Sequence, residues 1–514
     1  MIPSSLRCCA IGLVLAFGTV TAAADSPKLA VVIDRAIQQK LDQAKIPPSS
    51  IADDAEFLRR VCIDITGSVP TVERAIAFLD NKDPDKRAKL IDELLARPEY
   101  ARHMTDIWKD LLIPNTAASA RRKHEPIIQW LNRAFTENKP FNQMAREVLA
   151  SSGLQEENGA VTFYITHESV DQITDRVARV FLGVQIQCAQ CHNHPFNDWK
   201  QDEYWGLAAF FTKAKSAYTR ASGKEQYGLT EMPKDPKARA LLMLPPSLKQ
   251  VPPTFLRGAK ATLPNDGPYL PTLAEWLASK DNPYVAKAAV NRVWQQLFGR
   301  GFVDPVDDLS PEKKPSHPEL LNDLAKAFAD GGFDLKALIR DICLSQTYQR
   351  TGKPTENNRA DTTLFSHMAV KVQSPHQLFD SMENVFQLAD RKLGESSSQS
   401  NLDAVKGRGG FVGFFTGEDD ATPIEYQAGI PQALYLMNSK NHYRISKSAT
   451  AIANQRGKPD AIIETCFLAT LSRRPTADET KLFAAHFAKG SDVRTSTQDL
   501  LWVLLNSTEF LSNH

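Results

Sequence analysis

Two thiols and an imidazole fall within five residues, Cys188-Ala189-Gln190-Cys191-His192. Thiolates bind soft metals or exchange with disulfides, and imidazole binds iron, zinc or copper. The C-x-x-C-H order is also the spelling of c-type haem attachment, in which two thioethers hold the porphyrin and the adjacent imidazole ligates the iron. From 7 Cys and 11 His in 514 residues, chance supplies only about 0.002 such pentapeptides. The expectation is haem c held covalently on Cys188 and Cys191, with His192 on the iron.

Two other chemistries stay open at this point. Cys188, Cys191, His192 and His194 make a compact donor set for a non-haem metal ion. Zinc sites built on C-x-x-C usually draw a second ligand pair from far along the chain, and no second C-x-x-C or H-x-x-x-H occurs in the sequence. A Cys188–Cys191 disulfide with a redox role is the third option. For a haem, His167 could fold back as the sixth ligand. His194, two residues from His192, is poorly placed to reach the opposite face. His103, Met104 and Met144 lie in the same half of the chain. A filled sixth position points to electron transfer and an open one to ligand chemistry.

The elements that must position these residues are read from periodicity. Ile173, Val177, Val180, Phe181 and Val184 form a stripe at helical spacing. One further turn predicts that Cys188, Cys191 and His192 share a helix face. Downstream, Phe196, Trp199, Tyr204, Trp205, Phe210 and Phe211 form an aromatic cluster that either walls a porphyrin or belongs to the core.

Most of the remaining chain also reads helical. Asp83-Pro84 opens one helix, carried by Leu90, Ile91, Leu94 and Leu95 and stopped at Pro98. Others are predicted over 107–112, 126–137, 141–151, 272–279, 285–298, 318–330, 335–345, 375–389, 476–489 and 497–506. Residues 213–268 are rich in proline and glycine, and 391–417 is a loose stretch of serine and glycine. The predicted architecture is mainly α: a helical domain over 25–212, an irregular connector over 213–268 that can hold a short β-hairpin, and a second helical domain over 269–514.

At the N-terminus, Arg7 is the only charge before the apolar run 11–20, and Ala22-Ala23-Ala24 follows. This reads as a signal peptide over 1–24, so the protein is expected in the periplasm, the cell envelope or the exterior, with no transmembrane span after cleavage. Cys8 and Cys9 would leave with the signal. Cys62, Cys343 and Cys466 are scattered and are expected to be small buried hydrophobes. A net charge of +1 supplies no bulk pull toward nucleic acid.

Other constellations read as structural. Asn291 and Arg292 are expected to hold an interhelix hydrogen-bond network. Asp304, Asp307 and Asp308 lack calcium-loop spacing and read as a turn. Ser316-His317-Pro318 reads as a helix start. The glycines from Gly407 to Gly417 lack the Gly-Lys-Ser/Thr of a phosphate cradle, and no serine-elbow or metalloprotease motif occurs.

Several segments together carry a resemblance. Phe57-Leu58-Arg59-Arg60-Val61 with Asp64, then Phe181-Leu182-Gly183-Val184 leading into 188–196, are similar to the opening domain of a planctomycetal secreted family. Val290-Asn291-Arg292-Val293-Trp294, Phe298-Gly299-Arg300-Gly301 and Arg473-Arg474-Pro475 resemble its C-terminal partner domain. That family pairs two domains of unknown function, the first described as cytochrome-like. Motif and resemblance together give the expectation of a secreted c-type haem-binding protein in electron transfer or haem-dependent redox chemistry at the cell envelope. Its partner would be a redox or envelope protein, or an extracellular polymer. The competing expectation is a non-enzymatic envelope scaffold whose Cys–His cluster is a structural metal site or a disulfide.

Overall fold

The computed structural model describes residues 29–514 apart from 117–118, 120–121, 222–223, 232–238, 241–250, 265–266, 390–401, 417–429, 439–440 and 490–491. The expected signal segment, Cys8, Cys9, Gly417 and much of the connector lie outside the described residues.

The protein is mainly helical. The N-terminal half holds α1 (Leu29–Ala44), α2 (Asp54–Thr66), α3 (Val72–Asp80), α4 (Lys86–Ala96), α5 (Pro98–Leu112), α6 (Glu125–Thr136), α7 (Phe141–Leu149), α8 (Val170–Val177) and α9 (Gln201–Ala208). The C-terminal half holds α10 (Leu270–Ala278), α11 (Val285–Phe298), α12 (Pro318–Asp330), α13 (Leu335–Leu344), α14 (Pro375–Phe386), α15 (Leu402–Phe415), α16 (Ile430–Asn438), α17 (Asn441–Arg456), α18 (Pro459–Leu471), α19 (Ala477–Lys489) and α20 (Val493–Leu505). Among the described residues no helix is long and apolar enough to cross a membrane.

Local chemistry sets the boundaries. Asp53 caps α2 by accepting from the amides of Ala55 and Glu56, and Gly67 ends it in the left-handed region at φ 75°. Pro98 was expected only to stop a helix. It also opens the next, because its fixed φ suits the first helical position, so α5 starts at Pro98 rather than near residue 107. The reading of 391–417 as a loose stretch is corrected over 402–415, while 391–401 and 417 lie outside the described residues. Residues 402–415 are helical despite their glycines, because Phe411 stacks on Phe415 at 4.3 Å and packs against Phe379 at 5.3 Å. Tertiary packing overrides weak helix propensity there.

The sheets are small. β1 (Gly153–Leu154), β2 (Lys215–Ala221), β3 (Lys224–Thr230) and β4 (Arg239–Ala240) run antiparallel in the order β1-β3-β2-β4. β2 and β3 are the hairpin expected in the connector, with Tyr218 opposite Tyr227. β5 (Lys371–Val372) pairs with β6 (Ser512–Asn513).

Buried apolar side chains from Ile33 to Phe510 form one continuous cluster. Polar ties cross it as well. The Arg59 guanidinium donates to the carbonyls of Thr470, Glu509, Phe510 and Ser512 at 2.8–3.0 Å. Lys371 Nζ sits 2.6 Å from Asp64 and donates to the carbonyls of Gln296 and Leu297 at the end of α11. Cys62, Cys343 and Cys466 are free and buried, as expected, and burial pushes the Cys62 thiol up to about 12. Asn291 makes the expected buried network, donating to the Val303 and Val306 carbonyls and accepting from the Val303 amide.

Candidate functional site: the Cys188–His192 turn

The stripe that leads to the motif does form a helix, but it stops short of the cysteines. α8 continues as a wider π-turn over Ala178–Leu182 and ends at Gly183, φ 66°. A Cβ on Gly183 would lie 2.9 Å from both Ala288 Cβ and Leu309 Cδ1, so glycine is required by backbone and by packing. The expectation that Cys188, Cys191 and His192 share one helix face is therefore corrected. The chain reverses at Gly183 and re-forms only a 3-10 turn, Gln187–Gln190, with Cys191 following it.

This turn still serves the thiols. Cys188 lies in the 3-10 turn and Cys191 directly follows it, so both thiols leave one short segment. Both are exposed and free. Between them Ala189 is buried, and its amide donates to the Ile186 carbonyl at 2.9 Å. Gln201 Nε2 donates to the carbonyls of Gln190 and Cys191 at 3.1 and 2.8 Å, and Trp205 Nε1 donates to Gln190 at 3.1 Å. These two side chains pin the backbone under the cysteines. Nothing in the sequence singled them out for that role.

The histidines differ in what they leave available. His192 is exposed, and its Nδ1 lies 2.7 Å from the Asn193 carbonyl oxygen. A carbonyl only accepts, so Nδ1 carries a proton, and in the neutral ring the lone pair lies on Nε2. A backbone acceptor on one ring nitrogen is how ligating histidines are usually oriented. His194 is arranged in the opposite sense. Its Nδ1 accepts from the amides of Phe196 and Asn197 at 3.2 and 3.0 Å, which ties the ring into its own loop.

His167 is buried. Its Nδ1 donates to the Phe163 carbonyl, the ring packs 4.8 Å from the Phe163 ring, and Nε2 has no hydrogen-bond partner. Burial pushes its pKa down to about 3 against the opposing pull of that carbonyl, so the ring is neutral at ordinary pH. His103, Met104 and Met144 are also buried, and desolvation pushes His103 down to about 4.

Trp199, Tyr204, Trp205, Phe210 and Phe211 are buried members of the common core. Of the aromatic cluster only Phe196 is exposed, at 85%. The donor set thus fits covalent attachment of a porphyrin, since two accessible thiols stand beside an imidazole of the right tautomer. The aromatics behind it are packed into the core rather than lining a crevice. Among the described residues no three His, Cys, Asp or Glu side chains converge to hold a metal ion.

A concavity of about 1130 Å³ opens elsewhere, between α5, α6, α14 and α15. On its wall Arg408 makes hydrogen bonds with both Asp106 (2.6 and 3.1 Å) and Asp380 (2.8 and 2.9 Å). His376 Nε2 lies 3.0 Å from Asp110. Burial pushes the Asp110 carboxyl up, but His376 and Lys109 outweigh it and hold it at about 2. These groups are paired with one another and tie the two halves of the chain together. Sequence reading missed them because the Asp110–His376 and Asp106–Arg408 partners are 266 and 302 positions apart.

Fold and site together define a helical protein that presents a C-x-x-C-H turn on its surface. Residues 32–216 match the family model PSCyt2, protein of unknown function (DUF1549), and residues 271–421 match PSD1, protein of unknown function (DUF1553). The two domains, in this N- to C-terminal order, fit the pairing of a cytochrome-like domain with a C-terminal partner domain. No curated protein and no solved structure matches the chain.

Proposed function

We propose that this is an exported protein that carries one covalently attached c-type haem and transfers electrons at the cell envelope. Cys188 and Cys191 would form the two thioethers, each thiol adding its S–H across a vinyl double bond without an external oxidant. His192 would ligate the iron through Nε2. When bound, such a group supplies a one-electron couple.

The observation that carries this reading is the pairing of two free, exposed thiols on one turn with a His192 ring whose Nδ1 is already engaged by Asn193. The cytochrome-like first domain supports it. Export rests on the sequence pattern of residues 1–24. Acid–acetone extraction of protein made with a c-type maturation system tests it. Colour that stays with the polypeptide supports the reading, and colour that leaves with the solvent contradicts it.

A second reading is favoured by the packing of the aromatic cluster into the core. An exposed dithiol with no apolar crevice among the described residues also suits reversible disulfide chemistry, with the two helical domains serving as an envelope binding surface. The absence of any attached pigment, together with a measurable dithiol–disulfide couple, would move this reading to first place.

A further inference from the structure

The turn that carries Cys188 and Cys191 is irregular and owes little to helix or sheet. Its two ends are held from the other half of the chain. At the upstream end, the Leu309 amide donates to the Gly183 carbonyl at 2.7 Å. Asp307 takes Gln185 Nε2 on Oδ1 at 2.8 Å and Arg179 Nη1 on Oδ2 at 3.1 Å. Arg179 is itself fixed by Asp175, and Arg292 Nη2 of α11 donates to the Arg179 carbonyl at 3.1 Å. At the downstream end, the Asp198 amide donates to Glu312 Oε1 at 3.1 Å. The connector adds Arg257, whose guanidinium lies 4.4 Å over the Trp199 ring and within 3.4 Å of Asp198.

We propose that the C-terminal domain acts as an intramolecular clamp on the cysteine turn, with Asp307 and Glu312 as its positioning residues. The segment 307–312 of one domain grips residues 183–198 of the other at both ends and leaves the two thiols between the grips facing solvent. The chemistry of the first domain is thereby made dependent on the second, which gives a physical reason for a cytochrome-like domain to occur with this partner. The proposal deepens the reading of Cys188 and Cys191 as the redox-active point, but it does not require haem. Held between the grips, both thiols are free sulfhydryls. Releasing one grip lets the turn relax and lets the sulfurs meet more often.

The test uses the full chain with its thiols reduced, as wild type, Asp307→Asn and Glu312→Gln. Amide hydrogen exchange is followed over residues 184–199, with α11 and α12 as internal references. The Cys188–Cys191 couple is equilibrated against glutathione buffers. The clamp predicts exchange about tenfold faster across 184–199 in Asp307→Asn, with α11 and α12 unchanged. It also predicts a disulfide favoured by about threefold or more. Wild-type exchange and a wild-type couple in both variants would overturn the proposal. So would loss of protection throughout α11 and α12, which would make Asp307 a general fold residue. Failure of haem attachment leaves both measurements intact, so the two readings fail separately.

Discussion

His192 Nδ1 stands 2.7 Å from the carbonyl oxygen of Asn193, its immediate neighbour in the chain. The contact fixes the imidazole tautomer and leaves Nε2 free on an exposed ring beside two free thiols. Because the acceptor is backbone, the side chain of residue 193 is not needed for it. With attached haem, His192→Ala is expected to keep both thioethers but to lose the imidazole that would hold the iron, so the Soret band shifts and added imidazole restores it. An unaltered spectrum in His192→Ala would remove His192 from the iron.

Gly183 decides where the helix before the motif ends. Gly183→Ala places a side chain on a backbone at φ 66° and against Ala288 and Leu309 at 2.9 Å. The expected destabilisation is about 1–3 kcal/mol, from backbone strain and overpacking. Urea unfolding reads it directly, and an unchanged midpoint would contradict the packing described.

Arg59 is the cation most completely embedded among backbone carbonyls, meeting the four of Thr470, Glu509, Phe510 and Ser512. Arg59→Met fills similar space but leaves those acceptors without this donor. A loss of about 3 kcal/mol or more is expected in denaturant unfolding. Arg59→Lys should recover only part of it, because an ammonium cannot reach the same fork of acceptors.

Stability should fall with acidification from near-neutral pH. His103 and His167 are held neutral by burial, with pKa values pushed down to about 4 and about 3 from an ordinary 6.5. Below 6.5 the unfolded chain binds protons that the folded chain does not, so stability is lost as pH falls toward the folded values. Each such histidine contributes a slope of at most about 1.4 kcal/mol per pH unit. His167→Gln should flatten the dependence of urea midpoint on pH between about pH 4 and about pH 6. An identical slope in the variant would contradict the burial argument.

Much of this fold is legible in local pattern. α11 and α12 have the boundaries that their periodicity and flanking Gly299 and Pro318 predict. Asn291 was readable as a network residue. The motif residues themselves were unmistakable, but their conformation was not. Periodicity through Val184 argued for more helix, whereas Gly183 is set by contacts with Ala288 and Leu309 from more than a hundred positions away. The bracketing of the turn by Asp307 and Glu312 was hidden for the same reason. A polar side chain that acts across the core leaves no period in the sequence. Helix α15 was missed because four glycines argue against a helix, while Phe411 and Phe415 supply packing that spacing alone does not reveal.

The central claim is that Cys188 and Cys191 hold a haem covalently. A pyridine haemochrome spectrum tests it most directly, on wild type and on Cys188→Ala/Cys191→Ala made side by side with a c-type maturation system. A reduced α-band of the thioether-linked type in the wild type, absent from the variant, is the predicted result. A wild type that shows no haem, or a variant that shows as much as the wild type, would contradict it.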